Sequence, residues 1–324
     1  GERRRPTLED VRQGAILQDA LPEIDFVMSL VLPEDVDQRL YDRYQMEAML
    51  NHTTKPIVFV TPDFAGCVAA VEMCEIVAGG AEAFQKNPFA TCYINVTSGL
   101  IANEEGIVLA QLVREGAPVA MPGWNGGPYN LKTMVGNYVL ADEQGVATSM
   151  GKFYDLPVFG LAGSTDSKAL DQQCAAEAVF SLVFALLHGA NINHDVGFMD
   201  AGLQYSFQLL AMCNEHLGFL RAATAGVPVS DEDLALDVVE ELGPTGDYLT
   251  HKHTLKHFKR AYHSKLVDKR PYSQWAESGA TTMEARAASW VDEILESHQP
   301  DPLPADIQRD LKKVVEREQA RLGG

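Results

Sequence analysis

The sequence predicts an α/β protein of the (β/α)8 TIM-type barrel class, incomplete in this chain and followed by a helical C-terminal extension. Three observations carry that expectation. Short apolar runs at 56–62 (PIVFVTP), 90–98 (ATCYINVTS), 117–123 (APVAMPG) and 157–166 (PVFGLAGSTD) each break into Gly, Ser, Thr, Asn or Asp and lead into helical periodicity. The stretch from Ala190 to Gly202 repeats the design, releasing His194, Asp195 and Asp200 into a glycine-bearing loop after a short strand. That is how a barrel of parallel strands builds one wall of an active site. Beyond Gly226 the alternation stops and the chain reads as charged helices, dividing it into a partial barrel at 1–226 and a helical region at 227–324.

Thr7-x-x-Asp10 has the spacing of a helix start, and the first helix runs to about Ala20. Strand 24–31, helix 36–50, strand 56–61, helix 64–79, strand 90–96, helix 104–114, strand 117–122, helix 140–153, strand 157–162, helix 168–187, strand 191–196 and helix 203–220 follow. Such alternation requires parallel strands with helical crossovers. Gly116 and Gly189 stand where a helix ends in a positive-φ residue, and Pro118 and Pro157 follow soon after helix ends. Ser230 caps a helix whose first turn, Asp231, Glu232 and Asp233, suits the helix dipole. The last helix, from Pro304 to Leu322, gathers Ile307, Leu311, Val314 and Val315 on one side. Six strand–helix units are visible where a closed barrel needs eight, and the join after Ser98 is abrupt, so the reading expects a gap beside strand 90–96.

With 324 residues, 46% of them hydrophobic, the chain has material for a large core. The apolar run from Ala175 to Leu187 is broken by Glu177 and is too short to span a bilayer. A formal charge of −19 disfavours nucleic acid, which needs clustered Lys and Arg, and is compatible with a cationic substrate, with solvated surface as the better account of most of the carboxylates. Five cysteines without a C-x-x-C pair point to buried thiols in a reducing, cytoplasmic setting rather than to disulfides or structural zinc. A first residue of Gly and the absence of an apolar signal core suggest a trimmed or internal piece.

Several segments together resemble one family. GSTDSK (163–168), GANINHDVGFMDAG (189–202), LALDVVEELGPTGDYLTHKHTLKHF (234–258), DKRPYSQWAESG (268–279), GERRRPTLEDV at the start and VLAQLVREGAPV (108–119) are similar to the corrinoid-dependent trimethylamine methyltransferases. The resemblance implies a (β/α)8 barrel that moves a methyl group from a methylated amine to the Co(I) of a corrinoid carried by a separate small protein. It also implies two departures: family members carry a longer N-terminal region and a further strand–helix unit at about Leu100 to Gly106. Members acting on trimethylamine use a pyrrolysine, which this sequence lacks. The branch without it demethylates quaternary amines such as glycine betaine, proline betaine and carnitine.

A quaternary ammonium needs desolvation, aim and exclusion of water rather than acid catalysis, because a neutral amine departs. Aromatic faces suit the cation. Trp124 and Tyr129, in the loop PGWNGGPYN, are the first candidates, with Tyr93 and Phe198 behind them; core packing is the competing role for each. His194 is the leading site residue, as a group that binds a substrate carboxylate or orients the leaving amine, although a histidine after a strand also serves as a hydrogen-bonded core residue. Asp200 and Asp166 share its rim and complement the cation or brace His194 and Lys168, with helix caps or Asx turns as the alternative.

No metal is expected on the chain itself. His251-x-His253-x-x-x-His257 has zinc-like spacing and so supports a rival, a metal-dependent barrel hydrolase. A charged helix face, with Lys252, Lys256, Lys259 and Arg260 contacting the corrinoid protein or a neighbouring subunit of a homo-oligomer, is the better account. A second rival is a non-catalytic piece that acts as an interaction surface.

Overall fold

The computed structural model describes residues 4–29, 31–93, 97–98, 101–102, 129–130, 135–136, 141–155, 157–260 and 262–323. Helix α1 (Leu8–Ala20) begins as its capping pair predicts, with the Thr7 N–H donating to the Asp10 carboxylate at 2.8 Å. Its far end is closed by a residue from the next unit. The Lys55 ammonium donates to the carbonyls of Gln18, Leu21 and Ile24 at 2.7, 2.7 and 2.6 Å, meeting acceptors that a helix end leaves open. Burial pushes the Lys55 pKa down, against the pull of Asp19 and Asp25.

Strands β1 (Val27–Met28), β2 (Ile57–Val60) and β3 (Ala90–Tyr93) form a parallel sheet in that order, with α2 (Tyr41–Asn51), α3 (Phe64–Ala78) and α4 (Ala81–Lys86) in the connections. Register sets the faces. Ile57, Phe59, Ala90 and Cys92 pack with Cys67, Met73, Cys74 and Phe84 of the helices in the main core. Val58 pairs with Thr91 and Val60 with Tyr93 on the opposite face. Among the described residues β1 lies at the edge of this sheet, and a side chain binds its outer side: the Met28 N–H donates to Gln18 Oε1 at 3.1 Å while Gln18 Nε2 donates to the Met28 carbonyl at 3.2 Å. This amide satisfies a backbone donor and a backbone acceptor that burial would otherwise make costly.

Two short antiparallel pairs follow, β4 (Thr97–Ser98) with β5 (Ile101–Ala102) and β6 (Tyr129–Asn130) with β7 (Val135–Gly136). The sequence-predicted helix 104–114 and strand 117–122, with Gly116 and Pro118, lie outside the described residues. After α5 (Ala141–Phe153), β8 (Phe159–Leu161) and β9 (Ile192–His194) pair in parallel across α6 (Gln172–His188). Asp171 caps α6 by accepting the Cys174 N–H at 3.0 Å, and Gly189 ends it at φ 68°, the positive value expected there. The predicted start of the next helix at 203 is instead a hairpin, β10 (Phe198–Met199) with β11 (Gln204–Tyr205), before α7 (Phe207–Thr224). Among the described residues the strands fall into two parallel sets, β1–β2–β3 and β8–β9, and three antiparallel pairs.

α8 (Asp231–Leu234), α9 (Leu236–Leu242), α10 (Lys252–His257) and α11 (Tyr272–Glu277) are short. Ser230 caps α8 as expected, accepting the Asp233 N–H at 3.2 Å. α12 (Met283–Ser297) packs Ala287, Val291 and Ile294 with Leu17 of α1, Leu21 just after it and Leu210 of α7. α13 (Ala305–Gly323) returns to the first core through Leu311, Val314 and Val315, the stripe read from the sequence. All five cysteines are buried free thiols. Among the described residues, no helix is long and apolar enough to cross a membrane.

Candidate active site

His194 ends β9, where register pairs it with Leu161 of β8. Ala162, one residue on, faces the α6 core with Ala178 and Leu182, so Phe159, Leu161, Ile192 and His194 share the face turned away from that helix. That face meets the free face of the first sheet. The Phe159 ring stacks on His194 with centroids 4.2 Å apart, and Tyr93 of β3 lies 4.9 Å from Phe159 and 5.7 Å from His194.

The imidazole is buried, and its Nδ1 lies 2.6 Å from Oδ1 of Asp195. A carboxylate only accepts, so Nδ1 carries the proton and Nε2 is the ring atom left for chemistry. Among the described residues Nε2 has no hydrogen-bond partner. Burying such an atom is costly unless something else meets it. Asp195 follows at φ 67°, a left-handed turn that L-residues adopt at a cost, and its carboxylate reaches back to the ring before it.

The rim is built by continuing the β8–β9 pairing into two loops. The Gly197 N–H donates to the Gly163 carbonyl at 3.0 Å, Thr165 N–H to Phe198 at 3.0 Å and Asp200 N–H to Ser167 at 2.9 Å. Glu177, the residue that interrupts the apolar helix, accepts from the Thr165 hydroxyl at 2.6 Å and the Asp166 N–H at 2.9 Å, fastening the first loop to α6. Gly163 sits at φ 66°, where an added Cβ would lie 2.9 Å from Val196 and 3.2 Å from Cys213. Only glycine meets both demands.

The structure brings most of the sequence-predicted residues to this rim. Lys168 pairs with Asp200 at 3.4 Å and donates to the Asp166 carbonyl at 2.6 Å. Phe198 packs edge-on against Tyr205 at 5.1 Å, and Tyr93 joins the His194 stack. Trp124 lies outside the described residues; Tyr129 is placed only as a backbone partner of Gly136. Asp195, which the sequence reading places in the loop beside His194 without a role, supplies the carboxylate on its ring. Phe159, absent from the sequence candidates, supplies the stacking face, which strand alternation from Leu161 would nominate.

A cavity of about 340 Å³ separates β9 from β1, lined by His194, Asp195, Asn193 and Phe198 on one side and Phe26 and Met28 on the other. At its exposed end Arg221 pairs with Glu23 and Asp25, both at 2.8 Å. A second charge cluster, with Arg43 and Asp42 buried and Asp63 half-exposed, stands at the end of β2. Arg43 binds Asp42 at 2.7 Å and Asp63 at 2.8 Å beneath Gly66, whose missing Cβ leaves room for them. Burial pushes the Asp42 carboxyl up while Arg43 opposes that shift. Arg43 offsets part of the charge of the two carboxylates, and the trio braces the start of α3, which Asp63 caps.

The zinc-like histidines are otherwise engaged. His253 Nε2 lies 2.7 Å from the Glu232 carbonyl and His257 Nε2 3.1 Å from the Glu232 carboxylate. Among the described residues no group of three or more His, Cys, Asp or Glu side chains is arranged to hold a metal ion.

Comparison with known proteins decides the family. The family model described as Trimethylamine methyltransferase (MTTB) matches residues 1–105 and 104–323. The chain belongs to this trimethylamine methyltransferase family. The two pieces of the match meet where the sequence suggested a missing strand–helix unit. Trimethylamine methyltransferase MttB of Desulfitobacterium hafniense (strain DSM 10664 / DCB-2) is 27% identical over 369 residues, covering 99% of this chain and 74% of that protein. Trimethylamine methyltransferase MttB2 of Methanosarcina mazei is 31% identical over 218 residues, covering 65% of this chain and 43% of that protein. Glycine betaine methyltransferase of Desulfitobacterium hafniense (strain Y51) is 23% identical over 373 residues, covering all of this chain and 78% of that protein. The chain thus spans about three quarters of the Desulfitobacterium relatives and less than half of the Methanosarcina one.

Proposed function

We propose that this methyltransferase-family chain moves a methyl group from a small methylated amine of the betaine type to the Co(I) of a corrinoid carried by a partner protein, on a (β/α)8-type barrel. The observation that carries the reading is the unpartnered, buried Nε2 of His194 beside the aromatic faces of Phe159 and Tyr93. That combination fits a zwitterion or methylated cation: the rings address the methylated nitrogen and the imidazole edge addresses its polar end. The corrinoid would supply the nucleophile that takes the methyl carbon.

The chain's own residues do the rest. Asp195 fixes the ring of His194 through Nδ1, so Nε2 holds one direction. Phe159 and Tyr93 replace water around the ammonium, each ring contributing on the order of 0.5–2 kcal/mol. The C–N bond breaks with its electron pair leaving on nitrogen, and a quaternary substrate departs as a neutral amine with no proton to deliver. Asp200, Asp166 and Lys168 order the rim, and Trp124 and Tyr129 are proposed as further walls of the cage.

Glycine betaine, other betaines and trimethylamine, each given to the protein with Co(I) cobalamin or a cognate corrinoid protein, test the reading. Loss of the Co(I) absorption with release of the demethylated amine is the expected result. A spectrum unchanged across the panel overturns it.

A further inference from the structure

We propose that the cavity between β1 and β9 is a side passage by which the amine reaches and leaves His194, entered at the end of the strands opposite the rim. The inference rests on the methyl-transfer reading above. In that reading the acceptor approaches over the rim loops that follow β8 and β9, so a partner seated there covers the open end of the strands. A second way to the buried imidazole lets amine exchange while the partner stays in place.

The strand pairing leaves such a way open. Among the described residues β9 is bonded to β8 and not to β1, whose outer side is held by the Gln18 amide. The seam between the two strands therefore lacks the ladder of backbone bonds that would close it. The cavity occupies that seam, and its volume of about 340 Å³ falls within the range of small-molecule sites, roughly 300–1,000 Å³. It reaches from one end of the strands to the other. Glu23 and Asp25 precede β1, Asn191 precedes β9 and Arg221 stands in the last turn of α7, whereas His194 closes β9 at the rim end. Between them Phe26, Leu182 and Leu217 line an apolar wall that offers a small guest no charge on which to lodge.

The outer mouth matches a zwitterion. Arg221 pairs there with Glu23 and Asp25, each at 2.8 Å, and with Arg221 half-exposed and Asp25 largely exposed this clasp holds weakly. A betaine carries both of the charges that the clasp contains. Its ammonium replaces the guanidinium on the two carboxylates and its carboxylate replaces them on Arg221, so the mouth opens by exchange of like for like. A simple anion meets two carboxylates against one guanidinium, and an uncharged molecule makes neither bond. At the inner end the buried Nε2 of His194, without a partner among the described residues, receives the guest.

Exchange of glycine betaine on the full chain, followed by nuclear magnetic resonance of its N-methyl protons, tests the passage, with Kd measured by titration calorimetry. A passage sets the rates of entry and exit and leaves the equilibrium alone. Leu186→Trp enlarges a half-exposed residue of the cavity lining and should slow association and dissociation together by about tenfold, with Kd within about twofold of wild type. Arg221→Ala removes the clasp and should speed both rates by about threefold, again at nearly constant Kd. Far-ultraviolet circular dichroism should be unchanged in each. Wild-type rates in both variants overturn the passage and leave the rim as the entrance. A Kd that moves by the same factor as the association rate also overturns it, because these residues then belong to the binding site. A wild-type chain that binds neither glycine betaine nor trimethylamine overturns the methyl-transfer reading, and the passage with it.

Discussion

Nδ1 of His194 is held at 2.6 Å by the carboxylate of the very next residue, Asp195, and that short tether leaves Nε2 as the free edge of a buried ring. If the tether sets the direction of Nε2, Asp195→Asn should lower kcat/KM by about tenfold, or roughly 1.4 kcal/mol, with a melting temperature within a few degrees of wild type. Steady-state kinetics beside thermal denaturation separates this from a loss of fold.

Trp124→Ala should reduce activity by at least an order of magnitude while leaving the melting temperature nearly unchanged. His194→Ala should reduce activity at least as much and also cost about 1–3 kcal/mol of stability, because it leaves the buried Asp195 carboxylate without its partner. Full activity in the folded His194 variant would move the site elsewhere.

Phe159→Leu keeps an apolar filler beside His194 but removes the ring face 4.2 Å from it. Binding of a methylated ammonium should weaken by about 0.5–2 kcal/mol, up to some thirtyfold in Kd by titration calorimetry. Unchanged affinity would place the cation away from this stack.

The rim and its caps were legible in the sequence to different depths. Thr7 with Asp10, Ser230 and Gly189 act locally, so spacing alone located them. His194, Asp166, Lys168 and Asp200 were found because strand ends open into polar loops. Phe159 meets Tyr93 only when two sheets bring their free faces together, and Gln18 completes the β1 edge across a turn; contacts between distant elements leave no periodic trace. The second strand of the Phe198–Tyr205 hairpin, Gln204–Tyr205, falls inside the helix that the sequence predicts from 203, because two-residue strands are too short to impose alternation.

Burial works against the Asp19 charge, but the Thr54 N–H, His298 and the Thr53 and Thr54 hydroxyls together hold its pKa below the ordinary value of 3.8. A depressed carboxyl contributes stability that is present above its unfolded pKa and lost as pH falls through the folded one. Asp19→Asn should therefore cost about 1–3 kcal/mol at pH 7, and the gap to wild type should narrow as denaturation is repeated at pH 4 and then pH 3. A constant gap across that range would assign the loss to packing.

Gly163→Ala should destabilise by about 1–3 kcal/mol, because the new methyl meets Val196 and Cys213 at a left-handed backbone position. Urea denaturation measures it, and a neutral result would show that the rim loop relaxes freely.

The seating of Leu311, Val314 and Val315 against a core otherwise made from the first third of the chain has a consequence during synthesis. That core stays unfinished on the ribosome until α13 emerges, so the nascent polypeptide carries an open apolar groove while the residues between Tyr93 and Ala305 are made. Chaperone capture of stalled chains ending before Ala305, and release once α13 is added, is the behaviour this arrangement imposes.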